Sequence, residues 1–80
     1  MTYEEYLQLM AMQYEAVPQE SKAIANQMIP AGKSREFYEG MFFGLDLFTN
    51  KHEKVMDDEA GAAIVSFLIR AAAWRVINPQ

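Results

Sequence analysis

The chain has 80 residues, of which 51% are apolar, and it carries no cysteine and a formal net charge of −4. This length predicts one domain, residues 1–80, whose small core is marginal without a metal, a disulfide or association with another chain. The lack of cysteine rules out disulfides, and the negative charge disfavours direct binding to nucleic acid or to an anionic membrane.

Neither the N-terminus nor the longest apolar stretch has the features of a targeting or membrane segment. The N-terminus reads Met-Thr-Tyr-Glu-Glu, with acids where a signal peptide has basic residues. The longest apolar stretch covers 60–69 and is followed by Arg70, whereas a spanning helix needs about 20 apolar residues. We therefore expect a cytoplasmic protein with no membrane partner.

The first predicted helix covers residues 3–16. Thr2 and Glu5 have the three-residue spacing of a capping box, in which each side chain binds a backbone N–H at the start of a helix. Apolar side chains then recur at steps of three and four, as on one face of a helix: Tyr3, Tyr6, Leu7, Met10 and Tyr14.

The second predicted helix covers residues 18–29. Pro18 suits its first position, where a missing N–H costs nothing, and Pro30-Ala31-Gly32 is a strong signal that the helix ends. Four apolar residues are predicted to face one side: Ile24, Ala25, Met28 and Ile29.

The third predicted helix covers residues 35–50, with Ser34 as its N-cap and Glu36 in its first turn. At about 100° per residue, its core face forms a stripe about 140° wide. The residues of this predicted stripe are Phe37, Tyr38, Met41, Phe42, Leu45 and Phe48.

A second face of the same helix does not fit a simple core. Phe43 and Leu47 lie outside the stripe, beside Gly40 and Gly44. A glycine inside a helix costs roughly 0.5–1 kcal/mol relative to alanine, so a pair four residues apart suggests a groove for close packing. Either helix one or helix four fills this groove, or another protein or a second copy does. The predicted partner-binding residues are Glu36, Glu39, Gly40, Phe43, Gly44 and Leu47.

The fourth predicted helix covers residues 57–77. From Ala60 onward its only polar side chains are Ser66, Arg70 and Arg75, and a helix that is apolar nearly all round is a buried one. Each arginine is expected to pair with a carboxylate at the edge of the bundle. The predicted fold class is all-α, a compact bundle-like domain of four helices whose packing order stays open.

The groups that carry chemistry in enzymes are sparse. His52 is the only histidine, and no second histidine follows at the spacing of a zinc site. Asp57, Asp58 and Glu59 favour a helix start over a calcium loop, which needs alternating acids, a glycine and a distal glutamate. We expect no catalytic residue, no cofactor and no metal, and therefore not an enzyme.

The leading functional hypothesis is a small protein–protein interaction module, an inhibitor or accessory factor of the type that phages also encode. It would bind another protein or itself, as a homodimer, through the apolar face of the third helix. Two alternatives stay open: an acidic mimic of nucleic acid that blocks a DNA- or RNA-handling enzyme, and a structural subunit of a larger assembly.

Overall fold

The computed structural model describes the backbone of residues 1–51 and 59–78 and the side chains of residues 1–49 and 59–78. Within these ranges the chain forms four helices and no strand: α1 (Tyr3–Glu15), α2 (Gln19–Met28), α3 (Arg35–Lys51) and α4 (Glu59–Ile77). The predicted all-α, bundle-like fold is confirmed. The predicted start of the fourth helix at residue 57, together with His52, Asp57 and Asp58, lies outside the described residues.

The last helix is the centre of the fold, because α1, α2 and α3 all pack against α4. Ala71, Ala72 and Ala73 are all buried. Three consecutive helical residues point in directions about 100° apart, so their small side chains let neighbours approach α4 from several sides. The core consists of Leu7, Tyr14, Ala25, Ile29, Tyr38, Phe42, Ile69, Ala71, Ala72, Ala73 and Val76.

The start of α1 confirms the predicted capping box. The Glu5 backbone N–H donates to Thr2 Oγ1 at 3.2 Å, and the Thr2 backbone N–H donates to Glu5 Oε1 at 3.1 Å. The second of these bonds stabilises the carboxylate and lowers the pKa of Glu5 below its ordinary value. The helix ends at Glu15, with Ala16 as its C-cap rather than its last residue.

Removal of this cap is expected to destabilise the domain. Thr2→Ala leaves the Glu5 backbone N–H without its acceptor and should lower the free energy of unfolding by about 1 kcal/mol. Urea denaturation followed by circular dichroism measures the change. Thr2→Ser keeps the hydroxyl and serves as the control, and a Thr2→Ala variant as stable as the wild type would contradict this role of the cap.

The bounds of α2 differ slightly from the predicted 18–29. Pro18 is the N-cap in an extended conformation, and its carbonyl accepts from the Lys22 N–H at 3.0 Å. Ala25 and Ile29 are buried as predicted, whereas Ile24 and Met28 are 58% and 54% exposed. The reason is that α2 packs chiefly against α4, which covers only a narrow strip of it.

A tyrosine anchors the connection between α2 and α3. The fully buried Tyr38 donates its hydroxyl to the Pro30 carbonyl at 2.6 Å and accepts from the Lys33 backbone N–H at 3.2 Å. Between them Gly32 has a φ of 70°, a left-handed conformation that favours glycine. Ser34 Oγ then accepts from the Phe37 N–H at 3.2 Å, which confirms Ser34 as the cap of α3.

The core face of α3 is displaced from the predicted stripe. Tyr38 and Phe42 are buried, but Phe37 and Phe48, which share one edge of the stripe, are 41% and 43% exposed. Phe37 lies edge-on against Tyr38, with ring centroids 5.5 Å apart. The prediction that these two rings are core was wrong, because the neighbouring helices cover a side of α3 that is shifted toward the half-buried Glu39 and Asp46.

The two arginines of α4 lie where the helices meet. Arg70 donates to Gln13 Oε1 at 2.8 Å and also to Ser66 Oγ. Among the described residues its hydrogen-bond partners are therefore an amide and a hydroxyl, and the expected carboxylate partner stays a prediction. Arg75 donates to Asn26 Oδ1 at 3.2 Å, and its guanidinium lies 5.8 Å from the centre of the Tyr38 ring.

By length and composition alone, α4 is long and apolar enough to cross a membrane. Within its 19 residues, a window of 18 has a mean hydropathy of 1.6, so the apolar character continues beyond the stretch of 60–69 and Arg70. About a third of the helix (33%) is buried inside the fold. Core helices of soluble proteins have the same features, so this is weak evidence, and the absence of a membrane partner stays a prediction.

Candidate functional site

Most of the predicted partner-binding residues lie together on the outer side of α3. Five of them form one exposed strip along the helix, which we call the groove face: Glu36, Gly40, Phe43, Gly44 and Leu47. The Phe43 side chain is 51% exposed and the Leu47 side chain 57%. Two large apolar groups on one helix are therefore more than half in contact with water.

The two glycines leave an open groove between these apolar side chains. A Cβ atom built on Gly40 or on Gly44 meets no atom within 4 Å other than those of its own turn of helix. The interpretation in which helix one or four fills the groove is therefore wrong. The buried face of α3 lies on Tyr38 and Phe42, which places α4 against a different side of the helix.

One contact from α1 orients Phe43. The rings of Tyr3 and Phe43 are stacked, with centroids 5.1 Å apart and an angle of 19° between their planes. Phe42 contacts Phe43 edge-on at 5.9 Å. Stacking of this kind contributes about 0.5–1.5 kcal/mol beyond burial, so it holds the exposed ring in one orientation. A partner would meet a positioned ring rather than a mobile one.

Glu39 belongs to the contact between α1 and α3 rather than to the groove face. Tyr3 donates its hydroxyl to Glu39 Oε2 at 2.9 Å, and Arg35 Nε lies 3.4 Å from Glu39 Oε1. Arg35 also pairs with Glu4, at 3.5 Å. The two predicted acids are thus separated: Glu39 is half-buried among partners, while Glu36 is exposed beside the groove.

A second tyrosine repeats the pattern one turn further along α1. Tyr6 donates its hydroxyl to Asp46 Oδ1 at 3.1 Å. The Tyr3 and Tyr6 bonds together determine how α1 lies across α3 and therefore where the Tyr3 ring meets Phe43. The sequence contained the signal, two tyrosines three residues apart and two acids seven apart, but nothing in it showed that these stripes face each other.

The tyrosine–carboxylate contacts shift the titration of both hydroxyls. Burial, the hydrogen bond to Glu39 and its charge together raise the pKa of Tyr3 to about 12. Burial and the nearby Asp46 carboxylate raise the pKa of Tyr6 in the same direction. Both hydroxyls are therefore protonated donors throughout the physiological range.

The raised pKa of Tyr3 gives an expected pH dependence. An unfolded tyrosine titrates near pH 10, so the unfolded chain loses this proton before the folded chain does. The contribution of Tyr3 to stability is complete below about pH 10 and is lost as the pH rises toward about 12. Urea denaturation of wild type and Tyr3→Phe at several pH values measures this. A stability difference between the two proteins that does not change over this interval would contradict the assignment.

Two other hollows occur on the described surface. One, of about 90 Å³, is an apolar cleft between α2 and α4 lined by Ser21, Ile24, Ala25, Met28, Ile64, Phe67 and Leu68. The other is an open hollow of about 440 Å³ beside α1. It is lined by Glu4, Gln8, Ala11, Met12, Glu15, Arg35, Ile77 and Asn78. In this hollow Arg35 is already paired with Glu4, and no histidine, serine or cysteine is present to act as a nucleophile or base.

The described residues also contain no group of three or more histidine, cysteine, aspartate or glutamate side chains that could hold a metal ion. Comparison of the chain with models of protein families, with characterised proteins and with solved structures gave no match. The groove face is therefore the feature of the molecule from which its function is inferred.

Proposed function

We propose that this protein is a non-enzymatic protein–protein interaction module that binds through the groove face of α3. The observation that carries the proposal is the open groove at Gly40 and Gly44, flanked by the exposed side chains of Phe43 and Leu47. The glycines destabilise the helix, and no other element of the described chain packs against them. Close packing of a partner against α3 explains why glycine occupies these two positions.

The energetics of the face fit this role. Full burial of a phenylalanine or leucine side chain is worth about 1.5–3 kcal/mol, and about half of that remains to be gained at Phe43 and at Leu47. The positioned Phe43 ring loses little conformational entropy on binding. An exposed aromatic ring beside an open groove is typical of the central contacts of protein interfaces. We propose an inhibitor or accessory role in the cytoplasm on this basis.

The acidic-mimic alternative has less support. A mimic of nucleic acid needs a row of carboxylates that face solvent without partners. Glu4 and Glu39 share Arg35, and Asp46 accepts from Tyr6. The structural-subunit alternative gains support from the apolar cleft between α2 and α4, since a second exposed apolar surface suits a chain enclosed by neighbours.

Site-specific photo-crosslinking in living cells tests the proposal. A photo-reactive amino acid replaces Leu47 on the groove face or, as the control, the exposed Gln19 at the start of α2. We expect discrete crosslinked protein bands from position 47 that disappear when Phe43→Glu is added, and none from position 19. Equal crosslinking from both positions, or none from position 47, would contradict the proposal.

A further inference from the structure

We propose that α2 is a lid over an apolar side of α4, and that it opens as a unit while α1, α3 and α4 stay folded. The lid consists of Gln19–Met28. It is separate from the groove face of α3 and independent of the function proposed for that face. In the open state, apolar surface of α4 that the lid covers becomes accessible to solvent.

The lid buries very little of itself. All ten of its residues are described, and among them only the side chain of Ala25 is buried. Ile24 and Met28 are more than half exposed even in the closed state. By contrast, α1 fully buries Leu7 and α3 fully buries Phe42. Separation of α2 from α4 therefore exposes less of the core than separation of α1 or α3 does.

An incompletely filled cleft lies between the lid and α4. Its volume is about 90 Å³, and its walls include Ile24 and Met28 from the lid and Ile64, Phe67 and Leu68 from α4. Side chains that face an empty volume lack the dispersion contacts of a packed interior. The contact between the lid and α4 is therefore loose, and departure of the lid turns the cleft into a wider apolar surface on α4.

The lid has little local helix stability and a hinge at each end. Its ten residues fall below the length of about 12 at which an isolated helix becomes marginal, so the helix melts when it leaves α4. Its N-cap, Pro18, makes no side-chain hydrogen bond. At the other end Ile29 is extended and buried, and Tyr38 holds the Pro30 carbonyl at 2.6 Å. Ile29 and Pro30 therefore stay with the core, and the second hinge lies directly after Met28.

Polar contacts from one side of α2 hold the lid closed. Asn26 Oδ1 accepts from the Tyr14 hydroxyl at 3.3 Å and from Arg75 Nη2 at 3.2 Å, which joins α2 to both α1 and α4. One turn earlier, Lys22 Nζ donates to the Glu15 carbonyl at 2.9 Å. We call Lys22 and Asn26 the latch. Hydrogen bonds that water can replace contribute modestly to stability, so the latch favours the closed state without locking it.

Native-state hydrogen exchange, resolved by NMR under EX2 conditions, tests the lid. The hydrogen-bonded amides of α2, at positions 22–28, should share one opening equilibrium constant. We expect it to be at least about tenfold larger than that of the slowest amides of α4, which report global unfolding. Protection in α2 equal to that in α4, or protection that declines steadily toward the ends of α2 as in fraying, overturns the lid.

Thr2→Ala separates opening of the lid from global unfolding. The Thr2 cap belongs to α1, which stays folded when the lid opens, so its loss should speed the exchange of the slowest α4 amides about fivefold and leave α2 unchanged. Thr2→Ser, which keeps the cap, is the control and should change neither helix. If Thr2→Ala speeds α2 and α4 by the same factor, α2 opens only with the whole protein and the proposal is wrong.

A matched pair of alanine variants tests the latch. Asn26→Ala removes both hydrogen bonds at Oδ1, whereas Gln27→Ala changes the neighbouring exposed residue, and both substitutions raise helix propensity. We expect Asn26→Ala to speed exchange in α2 at least about threefold, and Gln27→Ala to leave it unchanged or slow it. Equal exchange in the two variants would contradict the latch.

Discussion

Phe42→Ala is expected to lower the free energy of unfolding by about 3–5 kcal/mol. Phe42 is 1% exposed and lies at the centre of the contact between α1, α3 and α4. Its ring packs against Tyr3 at 6.4 Å and against Tyr6 at 5.7 Å, so alanine leaves a cavity and removes both aromatic contacts. A domain of this size has a total stability of only about 4–12 kcal/mol, and a large share of the variant should be unfolded at physiological temperature.

Thermal and urea denaturation of purified protein measure this effect. Met12→Ala is the matched control, because Met12 is 64% exposed on α1 and its truncation should change stability by no more than about 0.5 kcal/mol. Equal losses in the two variants would mean that Phe42 is not at the centre of the core, and the packing of α3 described above would then be wrong.

The second large effect is expected from the double variant Gly40→Ala with Gly44→Ala, which should change folding and association in opposite directions. Alanine favours a helix over glycine by roughly 0.5–1 kcal/mol per position, and the added Cβ atoms come within 4 Å of no neighbouring element among the residues that the structure describes. The free energy of unfolding of the protomer should therefore rise by about 1–2 kcal/mol. Binding of a partner to the groove face should weaken at least about fivefold, because overpacking of a close contact costs about 1 kcal/mol or more.

Stability is best compared in the Phe43→Glu background, where association does not contribute to the measured unfolding. Gly32→Ala is the control, because φ at Gly32 is 70° and alanine is strained there, so that substitution should destabilise the protein. A double variant that is less stable than its parent would show that the glycines serve the packing of the protomer. That result would remove the main reason for regarding the groove as an interface.

Local signals made the helices predictable from the sequence. The capping box at Thr2, the cap at Ser34 and the break at Pro30-Ala31-Gly32 depend on residues within a few positions of one another, and the structure places all three as expected. The start of α3 at Arg35 and the end of α4 at Ile77 agree with the predicted bounds, whereas the start of α2 differs by one residue, because a proline suits both the cap and the first turn.

Contacts between helices could not be predicted from the sequence, because they depend on tertiary packing. The anchoring of Pro30 by Tyr38 and the bond from Tyr3 to Glu39 join residues whose proximity depends on how the helices pack. The exposure of Phe37 and Phe48 has the same origin, since helical periodicity gives the direction of a side chain but not the side on which neighbouring helices pack.

The candidate site was predictable in part for the same reason. The periodicity of α3 placed Phe43 and Leu47 off the core face, and the structure leaves both exposed. Whether another helix of the chain covered Gly40 and Gly44 depended on the packing order of the helices, which helical periodicity does not predict. Glu39 was grouped with Glu36 by charge, although one faces α1 and the other lies beside the groove.

Small-angle X-ray scattering of Phe43→Glu beside the wild type tests the central claim most directly, because it reports mass and compactness together. We expect Phe43→Glu to stay folded and compact, with a protomer radius of gyration near 12.0 Å, because Phe43 is exposed on the groove face. A radius near the roughly 28 Å of an unfolded chain of this length would show that Phe43 is an ordinary core residue. That outcome would contradict the claim that the groove face is an interface.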